Sequence, residues 1–154
     1  MVSGNGHAGE ECGQDDAKYS NSVIGANQRA IWWGMKGHKT LEAWKSAHAV
    51  VAAVFEPEFR ASHPAHYPIY DQLRRAALSV QLNIAEGYGL QSAPAFRRHL
   101  VIAFGSSVEA GDLLELLLEK NLGPASVVRN LLATTHRTQQ LVLGLIHRYT
   151  KPTP

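Results

Sequence analysis

Asp71-Gln-Leu-Arg-Arg-Ala-Ala-Leu-Ser-Val-Gln-Leu-Asn-Ile-Ala-Glu-Gly-Tyr-Gly89 reads as a helix whose apolar residues run round more than one side. At about 100° per residue, Leu73, Ala77, Val80 and Ile84 fall on one line. Gln72, Arg75, Ser79, Asn83 and Glu86 fall nearly opposite, and Leu78, Leu82 and Ala85 form a third line. A helix packed on one side needs only the first line. The extra strip calls for a second burial surface, either another helix of the same chain or another copy of the protein.

The flanking segments carry the same period. Upstream, Leu41, Trp44, His48, Val51 and Phe55 recur every three or four residues with Ala47 and Val54 beside them, which predicts a helix from about Leu41 to Phe55, with Thr40 as a possible N-cap. Pro57, Pro64 and Pro68 then break helical continuity until about Ile69. Gly87 and Gly89 suit the C-terminal cap of the second helix. Downstream, Ser92 and Pro94 suit a third helix start, and Phe96, Leu100, Ala103, Ser107, Ala110, Leu114 and Leu117 form the seam of a bundle helix reaching about Asn121. Gly105 and Gly111 in that helix would each cost up to about 1 kcal/mol if exposed, so close packing is the expected compensation. Gly123-Pro124 separates it from a fourth helix carrying Val128, Leu131, Leu132, Thr135, Leu141, Val142, Leu145, Ile146 and Tyr149. Short turns between the later helices make them antiparallel neighbours. The expected fold is all-α, an antiparallel up-down-up-down four-helix bundle.

The chain of 154 residues is long enough for one domain with a real core. Residues 1–38, rich in Gly, Ser and Asn, read as a poorly ordered extension, 39–150 as the bundle, and 151–154 as a tail. Met35 is a candidate original start. A net charge of +2 is too mild to announce a nucleic-acid-binding chain by itself. It is unevenly placed: residues 1–34 carry Lys18 and Arg29 against Glu10, Glu11, Asp15 and Asp16, whereas residues 35–154 carry 13 Lys/Arg against 9 Asp/Glu. The lone Cys12 permits no internal disulfide, and no apolar run approaches the roughly 18 residues of a membrane span. A cytoplasmic protein is the expectation, with no membrane among its partners.

Four pieces of sequence carry a resemblance: Leu41-Glu-Ala-Trp-Lys-Ser-Ala-His48, Gln72-Leu-Arg-Arg-Ala-Ala-Leu-Ser79, Asn83-Ile-Ala-Glu-Gly-Tyr-Gly89, and Phe96-Arg-Arg-His-Leu100 followed by small residues and Glu109. Over Lys39 to about Tyr149 the chain resembles the four-helix-bundle proteins encoded in intervening sequences of bacterial 23S rRNA genes, a family related to the accessory protein of diversity-generating retroelements. The resemblance implies a ring-like homo-oligomer, often a pentamer, and no established enzymatic role. The retroelement relative implies, more distantly, contact with nucleic acid and a reverse transcriptase through a basic surface. Gln81 or Leu82 stands where the family usually has a proline, and Gly111 where a larger residue is common.

Candidate sites follow from residue type. Arg74, Arg75, Arg97, Arg98 and His99 lie near two helix starts, where guanidinium forks suit phosphate, RNA or DNA alike. The alternative is that Arg75 pairs with Asp71 and the others solvate the surface or bridge subunits. The polar line of Arg75, Ser79, Asn83 and Glu86 can be a catalytic group only with a convergent nucleophile and base. Hydrogen bonding between helices or subunits is the plainer reading. His48 on the apolar stripe reads as a hydrogen-bonded core residue. His63-Pro-Ala-His66 has metal-compatible spacing but no third ligand nearby, and no zinc, Walker or nucleophile-elbow pattern occurs. No cofactor, metal site or catalytic residue is therefore expected. Leu78, Leu82, Ala85, Gly105 and Gly111 are the candidate contact surface between copies of the chain.

Overall fold

The computed structural model describes residues 37–150. The expectations for the leader before Gly37 and for the tail 151–154 lie outside the described residues. Four helices make up the fold: α1 Glu42–Val54, α2 Tyr67–Gly89, α3 Ala93–Glu119 and α4 Ala125–Arg148. Short 3-10 turns at His38–Thr40 and Pro64–His66 precede α1 and α2, and the described residues contain no strand. The main contacts run α1–α2, α2–α3, α3–α4 and α1–α4, so the helices stand at the corners of a square. Cross-helix bonds fix the antiparallel sense. Asn83 meets His99 at 3.0 Å across α2–α3, Gln139 donates to the Ser107 carbonyl at 2.9 Å across α3–α4, and Ser46 meets Thr138 at 2.8 Å across α1–α4.

The α3 seam is the most regular. All seven residues from Phe96 to Leu117 on the expected line are buried. Phe96, Leu100, Leu114 and Leu117 are wholly enclosed, and at about 1.5–3 kcal/mol each they outweigh the cost of two glycines in the same helix. The core line of α2, Leu73, Ala77, Val80 and Ile84, is likewise buried.

On α1 the expected stripe is turned. The buried residues are Ala43, Ala47, Val50 and Val54, while His48 and Phe55 are exposed and Trp44 and Val51 half-buried. His48 is therefore not a core residue; its ring stacks on Trp44 at 4.9 Å and reaches Gln81 at 3.4 Å. Small side chains face inward because α1 sits close to α2 and α4, and the wide rings fit only at the rim.

The helix ends also differ in detail from expectation. The Thr40 hydroxyl donates to the Gly37 carbonyl and closes the 3-10 turn, and Leu41 takes the N-cap position of α1. Ser92 stands at the N-cap of α3 without a side-chain cap bond. After α2 the left-handed residue is Gln91 (φ 50°), so neither glycine supplies the cap. After α3 it is Asn121 (φ 52°), with Leu122 N–H bonding the Leu117 carbonyl and Asn121 N–H that of Leu118, a Schellman arrangement.

Two apolar clusters fill the bundle. One holds Phe59, Tyr70, Leu73, Leu114, Leu117 and Val128 beside the α1–α2 connection and the α3–α4 turn. The other holds Leu41, Ile84, Phe96, Leu100, Val142 and Ile146 at the opposite end. Between them Ala47, Val50, Ala77, Val80, Ser107, Ala110, Thr135 and Thr138 line a small void, so the middle of the bundle is narrow and partly polar.

Candidate functional site

The five basic candidates do not form one patch. Arg74 is folded into the fold itself: its Nε donates to the Val54 carbonyl at 3.0 Å and its Nη2 to that of Phe59 at 2.9 Å. It tethers the end of α1 to the start of the connection, and its Nη1 also pairs with Asp71 at 3.3 Å. Asp71 thus belongs to Arg74, not to Arg75 as the charge spacing alone had it, because at i, i+3 Arg74 points toward α1 and Arg75 outward. Arg75 is exposed. His99 is half-buried, with its Nδ1 3.0 Å from Asn83 Oδ1 and 3.9 Å from Glu86. Arg97 and Arg98 are exposed at the start of α3, and Arg97 Nε donates to Thr150 Oγ1 at 2.9 Å. The Asn83–His99 and Gln72–Glu109 pairs set the level of α3 against α2. On that register Arg75 and Arg98 stand about 12 Å apart along the bundle axis, at about 1.5 Å per residue.

Three residues of the polar line of α2, Gln72, Ser79 and Asn83, bond across to α3, while Arg75 and Glu86 stay exposed. Ser79 Oγ meets Ser106 Oγ at 2.8 Å, Asn83 Nδ2 donates to the Ser79 carbonyl at 2.9 Å, and Gln72 bonds Glu109. These bonds satisfy one another and set the register of two packed helices. Gly87 is part of the same fit: a Cβ there would stand 2.6 Å from His99 Cβ and 3.1 Å from Phe96 Cδ2. The residue is glycine because α3 passes so near.

A group that sequence reasoning missed lies at the bundle end where α3 begins and α4 finishes. The Arg97–Thr150 bond joins the two helices at this end, which also carries exposed Arg98, His147 and Arg148. No Asp or Glu occurs in residues 90–108 or in residues 120–150. The acidic residues of α3 are gathered in its other half, as Glu109, Asp112, Glu115 and Glu119. The signal available from sequence was this one-sided absence of acid; counting only arginine pairs hides it.

The proposed contact residues divide similarly. Leu82 is 58% exposed, and Leu78 and Ala85 are half-buried toward the α1 side. Across the α2–α3 seam, Ile102 (45% exposed) stands level with Leu82, between the Ser79–Ser106 and Asn83–His99 bonds. Gly105 is exposed with nothing within 4 Å of an added Cβ. Gly111 is buried, and its Cβ would meet Gln139 Nε2 at 3.2 Å, so its small size serves the approach of α4.

Among the described residues no three His, Cys, Asp or Glu side chains gather as a metal-binding group. His63 instead accepts a bond from Ala65 N–H at 3.1 Å and starts the short turn before α2. No helix is long and apolar enough to cross a membrane among those residues.

The family model described as 23S rRNA-intervening sequence protein matches residues 39–144, well over half of the chain. The chain belongs to the 23S rRNA-intervening sequence protein family. The match spans α1, α2, α3 and most of α4, so every residue of the α2–α3 polar seam falls inside the family region. Arg148, at the end of α4, falls just beyond it. No curated protein matches the chain.

Proposed function

We propose that this intervening-sequence family protein is a non-enzymatic, self-associating helical scaffold that binds structured RNA, or nucleic acid of similar backbone, at the bundle end built from the start of α3 and the end of α4. The observation that carries the reading is the acid-free run on both helices, with Arg97, Arg98, His147 and Arg148 all exposed at the same end of the bundle. Arg97, Arg98 and Arg148 make no ion pair among the described residues, and such guanidinium groups can replace the counterions of a phosphate backbone. His147 and Arg148 also favour the C-terminus of α4 by opposing its dipole, a role compatible with phosphate contact. Arg75 lies off this surface and Arg74 is occupied, so neither is central to it.

Self-association rests on the exposed apolar residues, above all Leu82 and Ile102, which a closed homo-oligomer would cover; the resemblance implies a ring, often of five. A second reading, a protein-interaction module such as a reverse-transcriptase accessory without direct nucleic-acid contact, draws on the same apolar surface.

The test is a salt titration of a structured RNA hairpin against the full chain and against Arg97→Gln/Arg148→Gln. Log affinity is expected to fall linearly with log salt, by about 0.7–0.9 per phosphate contacted, and the double variant to flatten that slope. Absence of binding at low salt would overturn the RNA reading and leave the protein-interaction reading.

A further inference from the structure

The leader joins the bundle at its basic end. The His38 ring, in the first described turn, lies 6.2 Å from the ring of Tyr88 near the end of α2. Tyr88 stands 6.2 Å from Phe96, and Phe96 5.1 Å from Tyr149. This row of rings crosses the end of the bundle and finishes beside the basic surface, since Arg97 follows Phe96 and Arg148 precedes Tyr149 in the chain. Residues 1–36 therefore enter the fold at the same end that carries those arginines.

The charge of the leader is the complement of that surface. Glu10-Glu11-Cys-Gly-Gln-Asp15-Asp16 places four carboxylates within seven residues, and Lys18, Arg29 and Lys36 all fall between that stretch and the bundle. On the bundle side, residues 90–108 and 120–150 hold no Asp or Glu, and Arg97, Arg98 and Arg148 make no ion pair among the described residues. The other helices bring two carboxylates to this end: Glu42, bonded to Lys45 at 2.8 Å, and Glu86, 3.9 Å from His99.

We infer that residues 10–16 dock on the basic end of their own subunit, carboxylate against guanidinium, on the surface that phosphates of RNA would take. At about 3.3–3.6 Å per residue, the stretch 17–36 spans up to about 70 Å, twice the roughly 35 Å length of α2, so the tether allows the contact. Attachment at this end holds the carboxylates there at an effective concentration of about a millimolar, which no acidic molecule free in solution matches at ordinary concentrations. Charge also selects the end: Glu109, Asp112, Glu115 and Glu119 repel the same stretch from the other half of α3. The competition with RNA rests on the RNA reading proposed above, whereas the docking rests on the charges alone. The leader is then a built-in competitor that RNA must displace, and its hold weakens as salt screens the pairs.

The lone Cys12 lies inside the acidic stretch and reports its position in the full chain. A second thiol is introduced by Gly144→Cys, an exposed position one turn before Arg148 where an added Cβ meets nothing within 4 Å. Val127→Cys, exposed about 25 Å away near the start of α4, is the control. Under mild oxidation at low salt, the Gly144→Cys chain should close an intrachain disulfide about tenfold faster than the Val127→Cys chain. Glu10→Gln/Glu11→Gln/Asp15→Asn/Asp16→Asn keeps the tether but should slow that closure by about threefold or more. A structured RNA hairpin should slow it too, and in a salt titration the neutralised leader should bind the hairpin about threefold or more tighter at low salt, the gap closing as salt rises. Closure at Gly144→Cys unaffected by neutralisation would overturn the docking, however RNA behaves. A disulfide between two chains in place of the intrachain one would overturn the assignment to the subunit's own leader. Closure unaffected by bound hairpin would overturn the shared surface. Charge-dependent closure without any RNA binding would uphold the docking and sink only the RNA reading.

Discussion

Two glycines in exposed-looking sequence contexts should respond oppositely to the same one-methyl substitution. Replacing glycine by alanine inside a helix gains up to about 1 kcal/mol from backbone entropy. At Gly87 that gain meets an obstacle: the new Cβ would stand 2.6 Å from His99 Cβ, where ordinary carbon contacts are about 3.5–4.0 Å. His99 Cβ is held by its own backbone and its ring by Asn83, so relief requires α2 and α3 to move apart locally. Overpacking of this kind costs about 1–3 kcal/mol, which, against a gain of up to about 1 kcal/mol, leaves Gly87→Ala less stable by up to about 2 kcal/mol. At Gly105 nothing stands within 4 Å, and Gly105→Ala should gain close to the full helix term in the isolated subunit. The assay is urea unfolding followed by far-ultraviolet circular dichroism on the full chain, extrapolated to low protein concentration to remove the contribution of association. Gly87→Ala more stable than wild type, by a gain like that at Gly105, would refute the close approach of α3 to α2. A loss at Gly105→Ala in dilute protein would show that some group of the subunit already packs there.

Arg74→Ala should cost about 2 kcal/mol, because two charge-assisted bonds to the Val54 and Phe59 carbonyls are lost. Arg74→Lys should recover little of it, since an ammonium lacks the fork, and calorimetry of both variants checks this. Thr135 is 2% exposed and its hydroxyl has no hydrogen-bond partner, so Thr135→Val should stabilise by about 1 kcal/mol in chemical unfolding. Burial raises the Tyr70 phenol above its ordinary value of 10.0, an effect that Arg74 partly offsets. The folded state thus resists ionisation: this contribution to stability is fully present below pH 10 and is lost as pH rises through the folded value. Tyr70→Phe, which also forfeits the bond from the phenol to the Leu122 carbonyl, should lower stability at neutral pH while flattening the alkaline decline.

The parts of the fold legible in sequence are those where size and period agree. Along α3, the large and the small members of one line face the same core, and Phe96 to Leu117 read correctly throughout. Along α1 two lines have the same period, one of large side chains through Trp44 and His48, the other of small ones through Ala43, Ala47, Val50 and Val54. Hydrophobic size favours the first; the short distance to α2 and α4 favours the second, and distance between helices is not written in either line. Helix stops were legible, but not the residues making them, because Gln91 and Asn121 take the left-handed positions while Gly87 serves packing. At the candidate site, residue type identified the arginines, but neighbouring positions had opposite fates: Arg74 turned to carbonyls and Arg75 to solvent. That choice depends on the path of the 55–66 connection, which Pro57 and Pro64 make irregular. The basic end of the bundle needed two segments roughly fifty residues apart to be read together.

The narrow middle of the bundle has a consequence for how the molecule opens. Every helix passes through both apolar clusters, yet the level between them is made of alanines, two valines, a serine and two threonines around a void, smaller side chains that contribute less to holding the helices together than the large ones at either end. The free energy of a partial opening follows the apolar surface exposed, so separating one end as far as this level costs far less than carrying the separation through to the other cluster. The cooperative units of the protein therefore divide across its helices rather than between them. Amides near Leu73, Leu114 and Val128 should exchange with solvent as one group, and those near Ile84, Leu100 and Val142 as another, with a break in protection midway along each long helix that hydrogen exchange would reveal.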